Sequence, residues 1–328
     1  MAHNEVTRRQ LLQSLLVTSV AAGLPWQTAQ AAAEQDLTQV TLRVGDQTSA
    51  VQGLFRAAGL LEKIPYKVEW SSYPAAVNLH EALKANATDF GGANDSPTVS
   101  AIAGGSKVKV VSGWNNGGLG TALITQKDSG IHSLADLRGK TISPTTRGSV
   151  AHHLVVGLLK QAGIAHDEVQ FAFLSPTDAS AAFGAKSIDA WAIWGIFKAR
   201  AIGALGARVV DDGTRINSGL FINSATPQAL AHPGKLAAIA HFSALQDQSY
   251  EWARQNRDAY LDWYAAFSKQ DKAVVADLYD EQVLYRRIPL DDAFVARLKQ
   301  THDVWLENGV LKGAIDFNEH VYRNLPLA

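Results

Sequence analysis

The chain has 328 residues, enough for about two domains with a sizeable core, and its 47% hydrophobic and 19% charged residues mark a globular chain. Lys plus Arg is 30 and Asp plus Glu is 31, a formal net charge of −1, without the basic excess that a general nucleic-acid binder carries. The lack of cysteine excludes disulfides, thiolate metal sites, a cysteine nucleophile and a lipid-modified cysteine anchor.

Residues 1–33 have the parts of a cleavable export signal of the twin-arginine type. Arg8-Arg9 precede a weakly apolar run from Leu11 to Leu24, followed by Pro25 and Ala29-Gln30-Ala31-Ala32-Ala33. Gln13, Ser14, Thr18 and Ser19 interrupt the run, and its 14 residues fall short of the ~20 apolar residues needed to cross a bilayer. An amphipathic N-terminal helix is the alternative. Removing the segment takes away Glu5, Arg8 and Arg9 and leaves 28 basic and 30 acidic residues. A periplasmic protein is expected.

Val40–Val44 alternates apolar and polar residues and predicts a strand; a loop and a helix over about Ala50–Glu62 follow. Tyr66–Trp70 alternates again, and Pro74 opens a helix carrying Leu79 and Leu83. Asp89-Phe90-Gly91-Gly92 ends a short strand, and Asn94-Asp95-Ser96-Pro97 opens the next helix. Val108–Val111 and Thr121–Thr125 are strands, and Ser133–Lys140 is a short helix feeding a strand to Ser143. A second set comprises a helix over Ser149–Gln161, a strand over Val169–Leu174, a helix over Asp178–Ala185 and strands over Ile188–Trp194 and Ala207–Asp211. After a strand at Leu220–Ile222, only helices are expected beyond Pro227, several with aromatic residues (Trp252, Tyr260, Trp263, Tyr264, Trp305). Repeated β-loop-α units predict an α/β chain with largely parallel sheets. Two lobes are expected, 38–124 with 224–328 and 125–223, with Ile124-Thr125 leading out and Asn217–Asn223 leading back. A single larger α/β domain is the alternative.

Three stretches resemble the periplasmic substrate-binding proteins of ABC importers for aliphatic sulfonates, taurine and nitrate: Arg147-Gly148-Ser149-Val150-Ala151-His152, Asp189-Ala190-Trp191-Ala192-Ile193-Trp194, and Asp89-Phe90-Gly91 with Asn94-Asp95-Ser96-Pro97. The likeness runs from about Thr41 to His320. It implies two α/β lobes of the type II periplasmic-binding-protein fold, each a mostly parallel sheet flanked by helices, with a solute cleft between them and no chemistry performed. The chain departs from the family's pattern where Gly195-Ile196 stands in place of Asp-Pro, where Asn94 and Ser96 replace Gly and Ala, and at Arg147, where a lysine is common.

Ligands of open α/β sheets sit beyond the carboxyl ends of strands. Thr145, Thr146, Arg147, Gly148 and Ser149 end a strand and open a helix, so hydroxyls, free N–H groups and a guanidinium can meet an anion. An ordinary capped helix with a solvated arginine is the plainer reading of the same residues. Trp191 and Trp194, three apart on one strand, face opposite sides, and Trp194 is the better cleft wall. Trp114 with Asn115 has a similar claim, against core packing. Gln47 and Thr48 after the first strand, and Asn94 and Ser96 after the third, are polar loop tips and potential donors. Asp46 and Asp95 would repel an anion and suit helix capping or a cationic part of the ligand. His152-His153 point about 100° apart on a helix and make a poor metal pair. No cofactor, metal or catalytic residue is expected. The implied ligand is a small sulfonate, with another organic anion (a sulfate ester, a carboxylate, nitrate), an enzyme or a sensor as alternatives. The implied partners are a permease and its ATPase, not nucleic acid, and a monomer is expected.

Overall fold

The computed structural model describes residues 36–326, so the export-signal expectation lies outside the described residues. The first run of elements is β1 (Thr41–Gln47), α1 (Ala50–Ala57), β2 (Lys67–Tyr73), α2 (Ala76–Lys84), β3 (Phe90–Asn94), α3 (Asp95–Ala103) and β4 (Lys109–Asn115). The second is β5 (Thr121–Thr125), β6 (Thr141–Ser143), α4 (Val150–Gln161), β7 (Gln170–Phe171), α5 (Pro176–Gly184), β8 (Ala190–Trp194), α6 (Gly195–Leu205) and β9 (Arg208–Asp211). The chain closes with β10 (Leu220–Ala225), α7 (Pro227–Ala231), α8 (Pro233–Gln255), α9 (Arg257–Ser268), α10 (Lys272–Asp277), α11 (Tyr279–Val283), β11 (Arg286–Ile288) and α12 (Asp292–Glu307).

These strands form two sheets with corresponding orders, β2-β1-β3-β10-β4-β11 and β7-β6-β8-β5-β9. In each, the antiparallel strand next to the third position is the first to arrive after the chain has crossed from the other sheet: β5 pairs with β8 and β9, and β10 with β3 and β4. The other strands run parallel, except the edge strand β11. An aspartate precedes the strand at the third position of each sheet and fastens it to its neighbour at the second, β3 to β1 and β8 to β6. Asp89 accepts from the Arg43 amide at 3.0 Å and pairs with Arg43 and Lys235 at 2.6 and 2.7 Å, and Asp189 accepts from the Thr141 amide at 2.8 Å. Both aspartates belong to the stretches that carry the family resemblance, and here they hold strands together.

Alternation along β1 buries Leu42 and Val44 against Phe55, Phe90 and Phe242. In the second sheet, Leu123, Ile142, Ala190 and Ala192 pack on Leu154, Val155 and Leu158 of α4, while Ile124, Trp191 and Ile193 face Phe183 and Ala201. The crossings lie at 116–120 and 212–219, where Asn116 N–H donates to the Gly219 carbonyl at 2.9 Å. Gly219 has φ +72°, and a Cβ there would stand 2.2 Å from the Gly118 nitrogen, so the two crossings touch backbone to backbone.

Some expected boundaries move. Ile124-Thr125 lies inside β5, a strand of the second sheet. The helix expected over Ala50–Glu62 ends at Ala57, because Gly59 (φ +64°) turns the chain out of it, and a 3-10 turn follows at Leu61–Lys63. The strand expected over Val169–Leu174 is reduced to Gln170–Phe171. Beyond Pro227 the chain is not all helix: β11 exists because β4 offers an unpaired edge to Arg286–Ile288, a tertiary cause without a local pattern.

Candidate functional site

A cavity of about 170 Å³ lies where the carboxyl ends of β1, β3 and β8 converge. The first sheet and its helices contribute Gln47 and Thr48, Asn94, Ala50, Val51 and Leu54 of α1, Phe221 of β10, Tyr250 of α8 and Tyr285. The second contributes Thr121 of β5, Trp194 and the first turn of α6, Gly195, Ile196 and Phe197; Leu119 and Gly120 come from a crossing. A third wall is a stripe on α9, Tyr260, Trp263, Tyr264 and Phe267. Their spacing of i, i+3, i+4 and i+7 places four rings on one helix face. Nine of the 20 lining residues are aromatic and none is charged. Some neighbouring rings are close to parallel, Tyr250 on Tyr285 (4.8 Å, 22°), Tyr260 on Tyr264 (5.8 Å, 19°) and Trp263 on Phe267 (5.4 Å, 21°), whereas Tyr260–Trp263 (5.3 Å, 62°) and Phe221–Tyr285 (5.7 Å, 71°) meet edge to face.

Of the residues nominated from sequence, the structure brings Gln47, Thr48, Asn94 and Trp194 together on this cavity. Gln47 Nε2 donates to the Gly92 carbonyl at 2.9 Å, which fixes the amide and leaves its second N–H available. Asn94 Nδ2 leans on the Leu220 carbonyl at 3.4 Å. Thr48 and Ser49 both adopt left-handed backbone, φ 55° and 61°. For a β-branched residue that conformation is strained, and it is held by Thr48 N–H donating to the Tyr73 carbonyl and Thr48 Oγ1 to the Gln47 carbonyl.

The other nominees lie off the cavity. Ser96 is buried beside Asp95. Trp114 is fully buried on β4, its Nε1 donating to Asp247 Oδ1 at 2.6 Å, and the Arg287 guanidinium stands 4.9 Å from its ring centroid. Asn115 Oδ1 accepts from Gly117 N–H at the start of the crossing. Trp191 is fully buried against Phe183, on the sheet face opposite Trp194, as a spacing of three on a strand requires. The Thr145–Ser149 loop packs against other elements instead of lining the cavity. Ser149 caps α4 by accepting from His152 N–H at 3.1 Å, Gly148 N–H donates to His152 Nδ1 at 3.2 Å, and Gly148 Cα faces Ser100 of α3. Thr145 (φ 55°) is buried, its Oγ1 3.4 Å from the Ala192 carbonyl, and Thr146 Oγ1 is buried without a partner. Arg147 is exposed, its guanidinium 4.1 Å from the Phe173 ring centroid.

Two acidic groups behave as helix caps. Asp46 accepts from Val51 and Gln52 N–H at 3.2 and 2.9 Å, which occupies the start of α1, and burial raises its pKa to about 6. Asp95 accepts from Ser96 N–H at 2.8 Å and from Thr301 Oγ1 at 2.5 Å. The start of α6 differs: Trp194 gives no side-chain cap, the first turn holds no acid, and Gly195 has φ +54°. His152 is kept neutral by burial, reinforced by the charge of Arg147, with its pKa lowered to about 3.

The α9 stripe and the α6 start went unnominated. The stripe has a readable signal, four aromatics at helical spacing, but in sequence it is indistinguishable from a core face. Lys198 of α6 and Glu281 of α11 form a nearly buried pair at 2.6 Å beside the cavity wall. No helix among the described residues is long and apolar enough to cross a membrane.

The chain is 26% identical to the alkanesulfonate-binding protein SsuA from Xanthomonas axonopodis pv. citri bound to MOPS, with a TM-score of 0.78 over 86% of this chain and 98% of that one. It is 28% identical to the periplasmic aliphatic sulphonate binding protein SsuA from Escherichia coli, with a TM-score of 0.74 over 87% and 98%. A protein of Escherichia coli (strain K12) named for binding aliphatic sulfonates is 28% identical over 320 residues, 95% of this chain and 97% of that protein. The two sheets with a cleft between them are thus the two-lobed α/β fold of periplasmic binding proteins. The description "NMT1/THI5 like" matches residues 16–211, more than half of the sequence, and the chain belongs to that family.

Proposed function

We propose that this protein is the periplasmic solute-binding component of an ABC importer and that it captures a small organosulfonate and delivers it to a membrane permease and its ATPase. The observation that carries the reading is the cavity itself. It joins both sheets, its wall is aromatic and uncharged, and its polar groups are amides, hydroxyls and an uncapped helix start. That set suits an anion with an organic body, because backbone N–H groups and a helix dipole stabilise negative charge where no cation stands. The named ligands of the relatives support the same class.

Binding without catalysis fits the lining, which holds no histidine, serine, lysine or carboxylate to serve as nucleophile or base. The two sheets act as lobes hinged at the crossings 116–120 and 212–219, and the protein works as a monomer. Lys198–Glu281 and the Arg200 Nε donation to the Ser268 carbonyl at 2.9 Å join α6 to the helices across the cavity and fasten the closed form.

Two measurements test the reading: mass spectrometry of small molecules released by denaturation, and melting curves with sulfonates, sulfate esters and carboxylates. Ligand at a hundredfold excess over Kd stabilises the folded state by about 2.7 kcal/mol, which raises Tm by several degrees. A panel in which carboxylates or sulfate esters shift the melt and sulfonates do not would reassign the anion. No shift with any anion would overturn the binding role.

A further inference from the structure

We infer, resting on the sulfonate reading, that the ligand is an aromatic sulfonate of one ring, its sulfonate on the first turn of α6 and its ring between the tyrosine and tryptophan faces. Four helix starts lie behind the nominated loops, and three are already occupied. Asp46 takes the N–H groups of α1, Asp95 takes that of Ser96 in α3, and Ser149 takes that of His152 in α4. Of these four, α6, 11 residues long, begins without a side-chain cap or an acid in its first turn, and its Gly195, Ile196 and Phe197 line the cavity. An anion there meets unpaired N–H groups and the positive end of the helix.

A second observation is independent of the helix. Tyr264 is buried on the same cavity wall, and its hydroxyl has no hydrogen-bond partner in the protein. A buried hydroxyl without a partner is costly, and a sulfonate oxygen that reaches it as the wall adjusts around the ligand would supply the missing acceptor.

The body of the ligand follows from the walls. The near-parallel pairs Tyr250–Tyr285 and Trp263–Phe267 present flat faces, which favour offset stacking over contact with a flexible chain. Size sets the ring count: a cavity of about 150 Å³ holds benzene, so one of about 170 Å³ admits one ring. No lining carboxylate is present to pair with the ammonium group of an aminosulfonate such as taurine.

Calorimetric titration with benzenesulfonate, toluene-4-sulfonate, naphthalene-2-sulfonate, hexane-1-sulfonate and taurine tests the claim. The one-ring sulfonates are expected to bind about tenfold tighter than hexane-1-sulfonate, the upper range of a stacking contribution, with naphthalene-2-sulfonate weaker. Ile196→Pro removes one N–H at a helix position that tolerates proline, and Ile196→Ala removes the side chain but keeps that N–H. Ile196→Pro should weaken toluene-4-sulfonate about tenfold relative to Ile196→Ala, and Tyr264→Phe should weaken it severalfold. Equal or tighter binding of hexane-1-sulfonate would overturn the aromatic assignment and leave sulfonate binding standing. Equal affinity of the two Ile196 variants would remove the seat from α6. If no sulfonate binds, the parent reading itself fails.

Discussion

The helix starts of α4 and α6 make an instructive pair. Each follows a strand of the second sheet, each has a glycine at its opening, and both stretches carry the family resemblance. At α4 the donors are turned inward: Ser149 caps it, His152 accepts from Gly148, and Ser100 closes over the glycine. At α6 the preceding residue is a tryptophan, which cannot cap, and the first turn opens on a cavity. A glycine-bearing helix start is a potential anion seat; whether its N–H groups are still available decides if it becomes one.

The widest separation between the two should come from Gly148→Val. A Cβ at Gly148 would lie 2.6 Å from Ser100 Oγ with φ at +80°, so the variant should lose about 3 kcal/mol of stability or more. Denaturant unfolding reads that loss, and the remaining folded protein should bind its sulfonate with little change. A large fall in affinity without loss of stability would show that the α4 start faces the ligand after all.

Acid titration separates α4 from α1 next. His152 has a folded pKa lowered to about 3, so its stability contribution is complete above its unfolded value near 6.5 and is lost as pH falls toward 3. Asp46 has a folded pKa raised to about 6, so its contribution is complete below about 3.8 and is lost as pH rises through 6, a change of roughly 2–3 kcal/mol. Tm measured from pH 4 to 7 should therefore respond in opposite senses. His152→Phe should flatten the loss on acidification, and Asp46→Asn should remove the loss on raising pH from 4 to 6. Sulfonate binding should also tighten as Asp46 is neutralised, and Asp46→Asn should abolish that pH dependence in a titration.

Loosening the latch beside α6 is a smaller perturbation. Lys198→Met leaves Glu281 partly exposed, so the cost should stay below the 3–5 kcal/mol of a fully buried broken pair, at about 1–2 kcal/mol. It should raise the radius of gyration of the ligand-bound form in solution scattering. Unchanged scattering would deny the pair a part in closure.

Arg147→Ala should do least. Its guanidinium rests on Phe173 at the surface, a contact contributing about 0.5–1 kcal/mol, and sulfonate affinity should change less than about twofold. A loss of one to two decades in calorimetry would restore Arg147 to the ligand.

Much of this architecture can be read from local pattern. Period-two alternation marks Leu42 and Val44 as a core strand, and Asp46 reads as a cap because a carboxylate suits a helix start better than an anion's neighbourhood. Strand periodicity alone divides Trp191 and Trp194 between two faces, and loop tips after β1, β3 and β8 fall at the ligand end of an α/β sheet. What sequence leaves open depends on partners remote along the chain. Ser100 lies 48 residues before Gly148 yet covers it. The rings at 260–267 become a cavity wall because α9 packs over a strand end from the opposite half of the fold. Hydrophobic spacing states which residues share a face, but the packed structure alone determines whether that face meets a core or an open space, since the same burial stabilises both.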